Sequence, residues 1–125
     1  MGKTITISAQ GMTFTATLND SATAKAIWEK LPIEAKANTW GDEIYFGIGV
    51  EAQLEPGASA TVQLYDLGYW PPGGAFCIFF GQTPVSGPNE IRAASEVNVI
   101  GKIEAQAGDL RKVRSGAAIR LEKAS

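Results

Sequence analysis

The sequence predicts a mainly β chain: about eight short strands, arranged as an all-β barrel or sandwich, with one main helix that would plug an open end of a barrel. Three observations carry this. Short stretches alternate apolar and polar residues, turn residues recur at roughly 8–12-residue intervals, and a single segment shows an apolar stripe at helical spacing. Closure into a barrel would also remove unpaired strand edges. All 125 residues are expected to form one domain, since 45% of them are hydrophobic and the length suits a single core.

Residues 3–9, KTITISA, set Ile5 and Ile7 against Thr4, Thr6 and Ser8. After the Gln10-Gly11 turn, MTFTATL points Met12, Phe14, Ala16 and Leu18 to one face, which makes a hairpin of two half-buried strands. Asn19, Asp20 or Ser21 then caps a helix over 21–31 whose stripe is Ala24, Ile27, Trp28 and Leu31, and Pro32 ends it. Alternation resumes with Ile33, Ala35 and Ala37. Beyond the Gly41-Asp42 turn, Ile44, Phe46 and Ile48 point inward, leaving Trp40, Glu43 and Tyr45 on the opposite face or near the turn.

Glu55-Pro56-Gly57 is a turn and ATVQLYDL, residues 60–67, a strand. Trp70-Pro71-Pro72-Gly73-Gly74 reads as a rigid loop that projects Trp70 beside the barrel mouth, because proline fixes φ and glycine supplies positive φ. Residues 89–96, NEIRAASE, suit a helical turn or irregular structure. Residues 97–103 read as a strand, 108–110 as the start of a short helical turn and 118–121 as a closing strand.

The run AFCIFF, residues 75–80, is apolar on both faces. Phe76, Ile78 and Phe80 share one parity, and Ala75, Cys77 and Phe79 the other. One face fills the interior. The other requires cover from the helix of residues 21–31, a loop, a ligand groove or a second copy of the chain.

Composition excludes several functions. The chain has no histidine, which removes Ser-His and Cys-His pairs, His bases and His-ligated metals. Any catalysis must then use Asp, Glu, Tyr, Lys, Arg or binding geometry alone; no catalytic residue, metal site or cofactor is singled out. The net charge of −2 lacks the basic footprint of a nucleic-acid binder. A single cysteine, no signal-like N-terminus and no membrane-length apolar stretch lead us to expect a cytoplasmic protein without membrane contact. Gly47-Ile48-Gly49 and Gly73-Gly74 lack the lysine and helix context of a phosphate loop. Asp42 and Glu43 form an adjacent carboxylate pair beside a glycine, and we read them as turn residues. Cys77, inside the apolar run, reads as a buried small hydrophobe.

The stretches TWGDEIYFGI (39–48), LGYWPPGGAFCIFFGQTP (67–84) and VNVIGKI (97–103) carry a resemblance. In the same order along essentially the whole chain, they are similar to segments of the cyclophilin-like family, small prokaryotic proteins catalogued as a domain of unknown function. The resemblance implies a closed β-barrel like that of cyclophilins, smaller and with fewer helices. It carries over no catalytic residue. Cyclophilins isomerise prolyl bonds with a strand arginine in a Phe-His-Arg run and a later Gln-Gly-Gly segment, and this sequence has neither.

The sequence reading is thus a non-catalytic binding module for a peptide or small apolar ligand. Its expected groove is bounded by Tyr45, Tyr65, Trp70 and Phe80, with Gln82 or Arg92 supplying polar contacts. The alternatives are a weak prolyl or other isomerase, and a homodimeric assembly protein that pairs an apolar face about a two-fold axis.

Overall fold

The computed structural model describes residues 2–124. Ten strands, one main helix and two short helical turns follow one another along them. The first hairpin is β1 (Lys3–Ala9) and β2 (Met12–Leu18), paired from Lys3↔Leu18 to Ala9↔Met12. Its alternation holds: Ile5, Ile7, Ala9, Phe14, Ala16 and Leu18 are buried, and Met12 is partly so. Helix α1 (Ala22–Lys30) starts at Ser21, whose Oγ accepts the Ala24 N–H at 3.2 Å. It seals the interior with Ala24 and Ile27, while Trp28 lies at the rim beneath the ammonium groups of Lys3 and Lys123.

The remaining strands are β3 (Ile33–Lys36), β4 (Asn38–Thr39), β5 (Glu43–Gly47), β6 (Ser59–Val62), β7 (Asp66–Trp70), β8 (Ala75–Phe79), β9 (Ile91–Glu104) and β10 (Ala118–Lys123). A short helix, α2 (Ala107–Leu110), precedes β10. The main sheet runs β3-β10-β1-β2-β9-β7-β8-β5-β4, every neighbouring pair antiparallel. The expected closed barrel needs one correction: no ladder joins the two ends of this path. Those ends, β3 and β4, are successive pieces of one extended segment separated only by Ala37, whose N–H donates to Ala117 O at 2.8 Å. The covalent chain, not a hydrogen-bonded pair, bridges the gap.

Three further expectations change. Residues 60–67 are two strands, because the chain reverses at Tyr65, which takes the left-handed conformation at φ 71°. Trp70 is the last residue of β7, and the tight turn after it is a 3-10 turn over Pro71–Gly73 closed by Gly74 at φ 54°. Residues 91–96 are strand, the beginning of β9.

Strand β9 does two jobs. Its C-terminal part pairs with β7 and β2 in the main sheet, and its N-terminal part pairs with β6. The change comes between Val97, which faces Ser59, and Asn98, which faces Tyr69. A bulge follows within the β7 ladder: Leu67 and Gly68 face Gly101 and Val99, leaving Ile100 as an extra residue. Two apolar clusters result. The larger, inside the curled sheet, holds Phe46, Phe76, Ile78 and Phe80 with the hairpin and helix residues, and Phe46 stacks on Phe76 at 5.3 Å. The smaller lies on the outer face of β8, where Ala75, Cys77 and Phe79 meet Val62, Ala93 and Val97. The second face of AFCIFF is therefore covered by β6 and the β9 arm, not by the helix. Gly68 permits this cover, because a side chain there would stand 3.1 Å from both Phe79 and Val97.

Candidate functional site

The β9 arm does not cover the outer face completely. Between it and the β5–β8–β7 surface lies a pocket of about 300 Å³ lined by Trp40, Glu43, Tyr45, Trp70, Cys77, Ala93, Ala94 and Val97. Each element supplies its part by strand parity. On β5, Ile44 and Phe46 enter the main core, so Glu43 and Tyr45 face outward, opposite Phe79 and Cys77 of β8. Trp40 is held over the strand start by its N–H, which donates to Glu43 O at 2.9 Å. At the far end, Trp70 Nε1 donates to Ser95 Oγ at 2.6 Å, tying the indole to the arm. Gly73 makes room for that ring, since a Cβ there would stand 3.0 Å from it. Ala93 and Ala94 are small, which leaves the space open.

Glu43 is the unusual member. Five polar or charged side chains are buried: Thr23, Glu43, Asp66, Thr83 and Asn98. Four are satisfied. Asn98 accepts Glu55 N–H at 2.8 Å and donates to Thr23 Oγ1 and Gln53 O, and Thr23 donates to the Glu55 carboxylate. Asp66 accepts Gln63 N–H at 2.8 Å and pairs with Lys102 at 2.9 Å, and Thr83 donates to Arg92 O. Glu43 alone keeps a buried oxygen, Oε1, with no hydrogen-bond partner among the described residues, and the residue is 6% exposed. Burial raises its carboxyl from the usual 4.5 to about 7, against a smaller lowering by the Cys77 thiol. Burial, and then the Glu43 charge, push the Cys77 thiol well above the usual range. A thiol held protonated is a poor nucleophile.

Adjacent Asp42 has the opposite fate. Its carboxylate turns outward to the Arg111 guanidinium, accepting from Nε at 3.2 Å and Nη2 at 3.0 Å.

Of the six residues expected at one groove, the structure brings Tyr45 and Trp70 together. Tyr65 packs on the main core and its hydroxyl accepts Ala107 N–H at 3.1 Å. Phe80 is buried in that core, 5.9 Å from the Arg111 guanidinium. Gln82 donates to Gly87 O at 2.7 Å within its own loop, and Arg92 pairs with Glu90 at 3.0 Å on the surface. No groove bounded jointly by Tyr45, Tyr65, Trp70 and Phe80 exists, because the sheet itself separates the first and third from the others. Missing from the expected set were Trp40, Glu43, Cys77, Ala93, Ala94 and Val97. For Trp40, Glu43 and Tyr45 the signal was present, since all three fall on the outward side of the 40–48 segment.

The profile of the cyclophilin-like family matches residues 3–122. The chain belongs to that family. Another cyclophilin-like fold of this shape is the solution structure of the hypothetical protein AF2241 from Archaeoglobus fulgidus. It is 38% identical, with a TM-score of 0.82, over 98% of this chain and 95% of that one. The structure of McbB in complex with tryptophan superposes with a TM-score of 0.70 at 14% identity, over 95% of this chain and 44% of that one, and shows likeness of fold alone. Among curated proteins nothing matches this cyclophilin-like chain. No helix among the described residues is long and apolar enough to cross a membrane.

Proposed function

We propose that this cyclophilin-like protein is a non-catalytic binding module, and that its ligand is a small apolar or aromatic molecule, or one such side chain of a peptide, seated between β5, β8 and the β9 arm. The observation that carries this reading is the pocket itself, an apolar, aromatic-rimmed space held open at a place where the surrounding cluster is otherwise packed. Its volume of about 300 Å³ suits one ring with a short substituent. Wider clefts, such as the one beside Met12, Phe14, Glu104 and Lys112, are not built around a buried unpartnered group.

The isomerase alternative finds no support in the lining, which holds no arginine. The argument for a homodimer loses its premise, since the second face of AFCIFF is covered within the chain.

Benzyl alcohol is a suitable probe. Titrated into isotopically labelled protein, it should shift the amide and indole signals of Trp40, Tyr45, Trp70 and Ala93 and leave those of Phe46 and Phe76 in place. Ala94→Phe, at an exposed position of the lining, should fill the pocket and abolish the shifts. Shifts that scatter over the surface, or that survive the filled pocket, would show that this is not the binding site.

A further inference from the structure

Resting on that reading, we infer that the pocket is built for an organic cation: an ammonium group on a small apolar body, received by the Glu43 carboxylate and the rings of Trp40, Tyr45 and Trp70. Glu43 Oε1 is the one buried side-chain oxygen without a hydrogen-bond partner among the described residues, the weak Cys77 thiol being the carboxyl's internal donor, while every other buried polar side chain described is paired. Such a group needs a donor from outside the chain. A charged nitrogen is the donor that suits it best, because a charge-assisted hydrogen bond is stronger than a neutral one.

The protein supplies no cation there. No lysine or arginine lines the pocket. Arg111 is held by Asp42, Arg92 by Glu90 and Lys102 by Asp66, each through an ion pair. The one indole hydrogen bond seen in the lining, that of Trp70, goes to Ser95 and not to the carboxylate.

The aromatic rings point to the same chemistry. A cation is drawn to the face of a tryptophan or tyrosine. Elsewhere in this chain such faces are served internally: Lys3 and Lys123 stand 5.1 and 4.9 Å from Trp28, and Arg111 stands 5.9 Å from Phe80. No internal cation serves Trp40, Tyr45 or Trp70 among the described residues. Three rings and one carboxylate around a small cavity form a receptor for positive charge, and they repel an anion of the same size.

Charge uptake would be linked to a proton. The groups facing Glu43 are Trp40 and Tyr45 from its own segment, Cys77 from β8, and the uncharged Ala93, Ala94 and Val97 from β9. Burial keeps the Cys77 thiol protonated, so a proton released on binding comes from the Glu43 carboxyl, which titrates near 7.

The test is calorimetric titration of the intact chain with three probes of matched size: benzylammonium, benzyl alcohol and benzoate. At pH 8, benzylammonium should bind at least about tenfold more tightly than benzyl alcohol, with benzoate weakest. Glu43→Gln should erase the preference for the ammonium over benzyl alcohol. At pH 7 the ammonium heat should depend on the ionisation enthalpy of the buffer, revealing proton release, and the alcohol heat should not. This last measurement needs only the wild-type chain, so it decides the matter even where Glu43→Gln fails to fold. Equal binding of alcohol and ammonium would overturn the cation inference and leave the apolar pocket standing. Binding of neither would overturn both.

Discussion

Strand β8 divides the molecule into two regions that use the same residue types for different ends. On its inner face Phe76 and Ile78, followed by Phe80, lie in a core closed by the curled sheet and by α1, where the buried Tyr69 hydroxyl is satisfied by donating to Val50 O. On its outer face Ala75, Cys77 and Phe79 lie in a thinner layer closed by β6 and the arm of β9, with a carboxyl and an open pocket at its edge. A sheet curled around its core and capped by a helix excludes water from most sides, whereas an arm laid over a sheet leaves a seam. The difference teaches where function can sit in this fold: on the outside of the wall, where cover is partial.

The comparison is broken most directly by truncating the inner face. Phe76 is fully buried and stacked on Phe46. Phe76→Ala should cost about 3–5 kcal/mol, read from denaturant unfolding, because the removed ring leaves a cavity that the surrounding strands cannot fill. A cost below about 1 kcal/mol would mean that the inner core is no better closed than the outer layer.

The second expected effect belongs to the outer face and depends on pH. Glu43 titrates near 7 in the folded chain, above the 4.5 of an ordinary carboxyl. Below 4.5 both folded and unfolded chains carry this proton. Between 4.5 and 7 the unfolded chain has lost it and the folded chain has not, so stability falls as pH rises. Above 7 both are ionised and the penalty is constant, at about 3 kcal/mol. Glu55, whose carboxyl is held low by Thr23, works in the opposite direction, so the contribution is read as wild type minus Glu43→Gln at each pH. That difference should shift against the wild type between pH 5 and pH 8, by about 2.5 kcal/mol. A difference that stays flat would place Glu43 in water and remove the basis for its role.

The inner region was the more legible of the two in the sequence. Alternation in 3–18 and 44–48, and the stripe of α1, name nearly half of its core, because a face buried on one side imposes a period of two or of 3.6. The outer region depends on pairings between distant segments. Residues 91–96 bury only Ala93 and keep the rest partly or fully exposed, so no alternation marks them as strand; β6, some thirty residues earlier in the chain, makes them one. Tyr65 hid the turn between β6 and β7, because a non-glycine residue at positive φ carries none of the usual turn chemistry. Glu43 was read with Asp42 as a turn residue. Its burial becomes visible only once the β9 arm lies over β5 and β8, and nothing within 39–48 announces that.

The smallest expected stability effect is also the one that separates cover from function. Trp70 is half-buried at the end of β7, with its indole tied to Ser95 and fitted over Gly73. It lies in the pocket rim and not in the sealed interior, so Trp70→Ala should remove only part of a full burial, about 1–2 kcal/mol. Loss of the Ser95 hydrogen bond is included in that range, because serine stays exposed and water replaces the indole. Benzylammonium affinity should fall far more, since the ring is one of three faces available to the cation. Thermal melts and calorimetry on the same preparation measure the two losses independently. A stability loss near that of Phe76→Ala, with affinity unchanged, would make Trp70 a core residue that happens to border a cavity. A modest loss of stability with binding abolished would place it in the receptor, and would locate the difference between the two faces of β8 in one side chain.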